Sequence, residues 1–303
     1  DRKLDDIFEV QDEIVRSVTQ AILGEIELAS LNRAKRKPTQ NMSSYEFLLR
    51  GKEGHHAIDK DANAHALEMF DKAIEADSAN AQAYAWKACT MGQALGRGWI
   101  EKSLEEVIPE FNKLMDHAVK ADPNDFELHR LLCGISTMTG KFKAAVEHGK
   151  KAYDMVPNDP RILQQYGEIL LKTGKTKQGC DLTLLALEYD PVAQGQTNSD
   201  KRKSDAVFGC LMDDRVELGL ELAEEIEACS ENILLFAAAL SVAKYGSLEQ
   251  CPWLIKDLKT CDFEGLEAAI EEMGRYDVVV QSTLREVFLD HVAKLQPKLQ
   301  LVS

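Results

Sequence analysis

Three histidines, His55, His56 and His65, lie close enough together in the sequence to raise the question of a metal site. Imidazole nitrogens are common zinc ligands, but the ligands of one ion must converge on a single point. Neighbouring residues of a helix project about 100° apart, so His55 and His56 cannot face one ion together. His65 falls on the next predicted helix. We therefore interpret all three as helix-surface or loop histidines and predict neither a metal site nor a bound cofactor.

Catalytic motifs are also missing from the sequence. No G-x-G-x-x-G, phosphate-binding loop, G-x-S-x-G or H-E-x-x-H pattern occurs. The adjacent carboxylates Glu224–Glu225 and Glu271–Glu272 fall on predicted helices, and we interpret them as solvated faces. We therefore predict no catalytic residue and no enzymatic activity in this chain.

The cysteines indicate a compartment rather than a site. Seven occur, an odd number, scattered and without a C-x-x-C pair, which argues against a disulfide framework or a zinc site. We interpret Cys251 and Cys261 as structural thiols and predict a reducing, cytoplasmic location. No run of about 18 apolar residues is present, so we expect no membrane insertion.

The formal net charge of −15 opposes binding to nucleic acid, which requires lysine and arginine to displace counterions. One dense basic cluster, Arg33 with Lys35–Lys37, stands just before Pro38. We predict that it ends a helix, where cations suit the helix dipole. We therefore expect no nucleic-acid partner.

The elements that would position functional side chains follow a repeat. Pro123, Pro157 and Pro191 are 34 residues apart, and Thr139-Gly140-Lys141 recurs 34 residues later as Thr173-Gly174-Lys175. A 34-residue helix–turn–helix period is the tetratricopeptide repeat. Glycine supplies the left-handed conformation that ends the first helix of a hairpin. A small residue falls five before each proline, where neighbouring hairpins approach closely: Ala118, Ala152 and Ala186. The predicted fold class is all-α, a tetratricopeptide-repeat α-solenoid of antiparallel helical hairpins.

An earlier copy of the repeat ends at Asp77–Asn80, with consensus residues at Gly54, Ala66, Phe70 and Ala73. Extra residues around Gly92–Glu105 should lengthen the second hairpin's connection and place Trp99 on a surface loop. We interpret Gly195–Lys203 as a loop. The expected segments are 1–40, a connector helix; 41–191, the core repeats; 192–262, degenerate hairpins; and 263–303, a helical cap.

The N-terminal stretch does not follow the repeat. Val10 to Lys35 should form one long amphipathic helix with Ile14, Val18 and Ile22 on one stripe. Such a stripe needs a covering surface, and we expect either the first hairpin or a second copy of the chain in a homodimer.

Two segments resemble a known family. Asp1–Ile14 ends in Ile7-Phe8-Glu9-Val10-Gln11-Asp12-Glu13-Ile14, and Tyr45–Gly51 follows the linker Arg36-Lys37-Pro38. They are similar to the junction and first repeat helix of bacterial signalling proteins in which a TolB-like domain leads into tetratricopeptide repeats. The resemblance implies the C-terminal region of a class III adenylate/guanylate cyclase, or of a winged-helix transcription regulator. The alternative hypothesis is that the chain is a stand-alone adaptor. Because the chain begins at Asp1, we expect an effector domain upstream.

The repeat positions also predict where a partner would bind. In such arrays the concave side, lined by the first helix of each hairpin, is the functional surface. The predicted partner-binding residues are Trp86, Arg130, Gln164, Glu168 and Lys172. Gly51 and His55 stand where chaperone-binding repeats place the first lysine and asparagine of their carboxylate clamp. We therefore expect a protein or peptide partner of another kind, or the chain's own upstream domain.

Overall fold

The computed structural model describes residues 42–193 and 196–295. The predicted helix Val10–Lys35, with its Ile14, Val18 and Ile22 stripe, lies outside these residues. Every regular element in the described ranges is helical. The chain divides after Asp159 into two compact units. The four segments expected from repeat quality use different boundaries and stay a prediction.

The described residues of the first unit form three helical hairpins. Their helices are α1 Ser44–His56, α2 Lys60–Ala76, α3 Ala81–Gly96, α4 Leu104–Ala121, α5 Phe126–Met138 and α6 Phe142–Met155. The consensus residues Ala66, Phe70, Ala73 and Ala118 are fully buried between these helices, as the repeat predicts.

The second unit continues the pattern and then departs from it. Its helices are α7 Pro160–Lys172, α8 Thr176–Tyr189, α9 Asp200–Met212, α10 Val216–Glu224, α11 Glu231–Tyr245, α12 Pro252–Leu258, α13 Phe263–Met273 and α14 Val278–Val287. A π turn, Phe288–Val292, and a 3₁₀ turn, Ala293–Leu295, extend α14. The helix α11 is buried along most of its length, and α13 and α14 pack against it.

Side-chain caps fix where many of the helices begin. Ser43 with Glu46, and Ser103 with Glu106, form reciprocal capping boxes that satisfy backbone N–H groups left free at a helix start. Between α4 and α5, Asp125 Oδ1 accepts the Leu128 N–H at 2.7 Å. Local hydrogen bonds therefore help to set where these helices begin.

The glycines of the recurring turn behave as predicted. Gly140 and Gly174 have φ of 70° and 82°, the left-handed region that side chains with a Cβ disfavour. The Lys141 N–H donates to the Ser136 carbonyl at 2.8 Å, which closes the end of α5. The equivalent bond from Lys175 to Leu170 measures 2.9 Å at the end of α7. A bond of this span, from the residue after the glycine to the carbonyl five residues earlier, belongs to the Schellman motif that ends a helix.

Two expectations about irregular segments need correction. The extra residues of the second hairpin do not all enter its connection, because α3 and α4 are 16 and 18 residues long whereas α5 and α6 have 13 and 14. Trp99 does lie on the connection, partly buried beneath the Arg97 guanidinium at 5.5 Å. The predicted loop Gly195–Lys203 is too long, since α9 already begins at Asp200.

A stacked histidine pair joins α5 to α6. The Nδ1 atoms of His129 and His148 lie 3.0 Å apart, and His129 Nε2 lies 2.9 Å from the Pro123 carbonyl oxygen. A carbonyl only accepts, so His129 Nε2 carries the proton and its Nδ1 accepts from His148 Nδ1–H when both rings are neutral. Burial, then the neighbouring His129 and Lys151, lowers the pKa of His148 to about 4, while Glu147 opposes the shift.

We expect this pair to make the first unit less stable in acid. The folded pKa of His148 is below its unfolded value of about 6.5, so the unfolded chain binds the proton first and stability falls between pH about 6.5 and 4. His148→Gln retains a donor for His129 Nδ1 but does not titrate. Its free energy of unfolding, measured in urea at several pH values, should fall less steeply than that of wild type. Parallel curves would show that His148 has no such role.

Candidate functional site

Two clusters of polar side chains lie on the predicted concave positions, one in each unit. The first, which we call the Trp86 cluster, comprises side chains from α1, α3 and α5. The Trp86 ring is 5.2 Å from the His55 ring and 5.4 Å from the His56 ring, both edge-on. Two cations lie near the same indole, Arg130 at 5.5 Å and Lys52 Nζ at 5.7 Å from its ring centroid. Successive first helices therefore converge on one tryptophan.

Arg130 is held within this cluster by Glu127, one helical turn earlier. Arg130 Nε donates to Glu127 Oε2 at 2.9 Å, and its Nη2 donates to Oε1 at 2.8 Å. Both side chains are buried, with 7% and 4% of their surface exposed. A bidentate pair of this kind fixes the guanidinium plane.

Burial and the charge of Arg130 both affect the pKa values of neighbouring side chains. Burial, assisted by the charge of Arg130, lowers the pKa of His55 to about 4, so this ring is neutral near pH 7. His55 Nδ1 lies 3.0 Å from the Thr90 hydroxyl. Burial raises the pKa of the Cys89 thiol to about 11 even though Arg130 opposes the shift. Neither group is prepared for acid–base or nucleophilic chemistry at neutral pH.

The indole N–H of Trp86 is buried and has no hydrogen-bond acceptor within the described residues. A buried donor without an acceptor costs about 1–3 kcal/mol, which the packing of the surrounding rings must offset. Only 2% of the Trp86 surface is exposed. The Trp86 cluster is thus a buried polar core in this structure, and partner binding by Trp86 and Arg130 stays a prediction.

The second cluster surrounds an open cavity of about 300 Å³ in the second unit, which we call the α7–α13 cavity. Its residues come from the first helices of three hairpins, α7, α9 and α11, with Ser230 just before α11, and from α13 and the turn that follows it. The apolar part of the lining is Phe208, Ile233, Phe236, Ala269 and Met273, and the polar part is Glu168, Lys172, Lys201, Ser204, Asp205, Ser230, Asn232, Glu272 and Tyr276. An apolar lining with a small number of polar groups is typical of a ligand pocket.

Two lysine–carboxylate pairs, each one helical turn apart, form the charged wall on α7 and α9. Lys172 Nζ lies 2.7 Å from Glu168 Oε1, and Lys201 is paired with Asp205. Lys172 Nζ also lies 4.5 Å from the centroid of the Tyr276 ring. Burial opposes the charge on both members of the first pair. Their mutual attraction outweighs it, so the pKa of Glu168 is lowered and that of Lys172 is raised.

Asp205 is the less compensated carboxylate of the wall. Gln164 and Lys201 both donate to it. Nevertheless, burial raises the pKa of Asp205, with the nearby Glu168 acting in the same direction and Lys201 against it. On the opposite wall, Glu272 accepts the Tyr276 hydroxyl at 3.2 Å. Within the described residues, no ion pair includes Glu272.

The structure therefore divides the five predicted site residues. Trp86 and Arg130 lie together in the first unit, and Gln164, Glu168 and Lys172 lie together beside the α7–α13 cavity. The repeat positions did not identify Lys201, Asp205, Glu272 or Tyr276. Lys201 fell within the overlong loop prediction, Asp205 was not among the repeat positions singled out, and Glu272 was interpreted as part of a solvated face. It is exposed, but it lines the cavity.

The cysteines and the three histidines of the sequence analysis do not line the α7–α13 cavity. All seven cysteines are free, with Cys251 buried and Cys261 partly buried. His65 is exposed on α2, whereas His55 and His56 are partly buried at the end of α1 and were wrongly expected on the surface. In the described ranges no three His, Cys, Asp or Glu side chains are arranged to hold a metal ion. No described helix is both long and apolar enough to cross a membrane.

Comparison with known proteins bears on the fold. No family model and no curated protein sequence matches the chain. Among solved structures, the chain is similar to PilF of Pseudomonas aeruginosa with a TM-score of 0.50 and 12% identity, covering 80% of this chain and 96% of PilF. It is also similar to a chain of the APC/C hetero-tetramer Cut9–Hcn1, with a TM-score of 0.55 and 13% identity, covering 87% of this chain and 46% of that one. Together with the 34-residue period and the observed hairpins, these similarities assign the chain to the all-α tetratricopeptide-repeat fold.

Proposed function

We propose that this chain is a protein-interaction scaffold that receives a segment of a partner protein in the α7–α13 cavity. The observation that carries the proposal is the lining, in which three successive first helices supply an apolar floor and a paired charged wall. Its volume of about 300 Å³ is at the lower end of the range of about 300–1,000 Å³ for ligand pockets, which suits one or two side chains of a peptide. Arg130 and Trp86 then serve as packing in the first unit.

We also propose the kind of protein to which this scaffold belongs. The Asp1–Ile14 motif supports a regulatory region of a bacterial nucleotide cyclase, acting in the cytoplasm on its own upstream domain or through a homodimer. A stand-alone adaptor or the partner-binding half of a winged-helix regulator fits the same scaffold equally well. The sequence of the complete gene decides between them, because the first proposal predicts a cyclase core, the winged-helix proposal predicts a winged helix, and the adaptor predicts neither.

The binding site can be tested by peptide selection. We expect a random peptide library displayed on phage to yield sequences that bind the chain with micromolar Kd. Lys172→Met should change Kd at least tenfold, about 1.4 kcal/mol. It should tighten the binding of basic sequences and weaken that of acidic ones, because it removes a cation from the cavity wall while its aliphatic stem is retained. Calorimetry with the selected peptides measures the change.

Lys177→Met is the matched control, because Lys177 forms a similar pair with Asp181 at 2.9 Å but lies outside the cavity, on α8. It should bind within about twofold of wild type, a difference that is small on the scale of free energies. Equal binding by both variants would place the peptide elsewhere, and a library that yields no binder would argue against the scaffold itself.

A further inference from the structure

We infer that the α7–α13 cavity selects a cationic amphipathic segment, in which a large apolar side chain is flanked by lysine or arginine. This inference rests on the proposed function and names the chemistry of its partner. It follows from the balance of charges around the cavity and from the aromatic floor.

The charges around the cavity leave an excess of negative charge. Three carboxylates line it, Glu168, Asp205 and Glu272, against the two cations Lys172 and Lys201. Each lysine already has a carboxylate partner on its own helix. Glu272 lines the same cavity from α13, with only a hydroxyl bond from Tyr276 at 3.2 Å within the described residues. An arriving cation could pair with Glu272, whereas an arriving carboxylate would meet a surface whose cations are already engaged.

The raised pKa of Asp205 is consistent with this excess of negative charge around the cavity. Burial is the main cause, and the adjacent Glu168 carboxylate adds to it. Lys201 on the same helix does not offset these two effects. A positive charge brought by a partner would lower the electrostatic cost of keeping this carboxylate ionised.

The floor explains why a cation alone would be insufficient. The Phe208 and Phe236 rings pack 5.6 Å apart with a tilt of 32°. Phe208 is only partly buried, whereas Ile233 and Met273 beneath the cavity are 5% and 4% exposed. Covering this surface with an aliphatic or aromatic side chain would contribute about 25 cal/mol for each Å² of apolar surface removed from water. The adjacent Lys or Arg then supplies selectivity through electrostatic complementarity.

The test uses the full chain and the peptides selected from the random library. The selected sequences should be enriched in Lys or Arg next to a large apolar residue. A consensus peptide, blocked at both ends, is then compared with versions in which every Lys or Arg is replaced by Gln or by Glu. Fluorescence anisotropy measures Kd for wild type, Glu272→Lys and the control Glu271→Lys, whose native carboxylate contacts Arg285 outside the cavity.

We expect the basic peptide to bind at least tenfold tighter than the acidic one. Glu272→Lys should weaken the basic peptide at least tenfold and strengthen the acidic peptide, while Glu271→Lys changes either Kd less than threefold. Selection of acidic or neutral sequences, or equal Kd values for the three peptides, would overturn the charge inference and leave the proposed binding function intact. A library without any binder would overturn both.

Discussion

Replacing Arg130 by alanine should be among the most destabilising single changes in the first unit, at about 3–5 kcal/mol. The variant deprives the buried Glu127 carboxylate of both N–H donors that Arg130 supplies at 2.8 and 2.9 Å. It also removes the guanidinium that packs 5.5 Å from the Trp86 ring. A buried carboxylate that loses its ion-pair partner is far more costly than an exposed one, because solvent cannot replace the lost interaction.

The measurement must isolate the first unit, since two compact units need not unfold together. Of the three tryptophans, Trp86 and Trp99 lie in the first unit and Trp253 in the second. In a Trp253→Phe background, fluorescence during urea unfolding reports on the first unit alone. The variant should shift the midpoint strongly to lower urea without a change in slope.

A double variant provides the matched control. Glu127→Gln with Arg130→Met removes both charges while nearly preserving side-chain volume. Replacing a buried ion pair in this way is often neutral or stabilising, so most of the loss should be recovered. If Arg130→Ala alone lowers the free energy of unfolding by less than about 1 kcal/mol, the Glu127–Arg130 pair behaves like an exposed salt bridge. That result would contradict its description as part of a buried polar core.

The hairpins could be predicted from the sequence because their signals are local. Gly140 and Gly174 end helices through backbone geometry that glycine adopts readily, and the turn between α4 and α5 is closed by the adjacent Asp125. Ala118, Ala152 and Ala186 follow the repeat period and are all fully buried. None of these features requires knowledge of a distant contact.

The candidate site was only partly predictable for the opposite reason. Glu272 and Tyr276 reach the cavity because α13 packs beside α11, and neither residue belongs to a recognisable repeat position. Tyr276 meets Lys172 across more than a hundred residues of sequence. Exposure is similarly non-local, so repeat numbering alone could not show that only 6% of the Arg130 surface is exposed.

The contact between α7 and α8 has another determinant that the repeat comparison missed, a pair of facing glycines. A Cβ added to Gly179 would lie 2.8 Å from the Gly167 carbonyl oxygen and 2.8 Å from the Leu171 backbone nitrogen. Backbone atoms cannot move aside as a flexible side chain can, so even alanine would force the two helices apart. We expect Gly179→Ala to destabilise the second unit by about 1–3 kcal/mol, the usual range for overpacking. This would occur although alanine is the better helix former by about 1 kcal/mol.

The geometry also predicts an order of effects. At Gly167 the nearest atoms, the Gly179 carbonyl oxygen and a Thr183 methyl group, lie 3.0 Å from the added Cβ, so Gly167→Ala should be milder. At Gly96 nothing lies within 4 Å, and Gly96→Ala should be neutral or stabilising by up to about 1 kcal/mol. Hydrogen exchange of peptides from α7 and α8 measures the first two variants, and urea unfolding followed by tryptophan fluorescence measures the third. Equal protection of α7 and α8 in the Gly179→Ala variant and in wild type would show that the two helices can separate at little cost. The close approach of their backbones would then not explain the glycine at position 179.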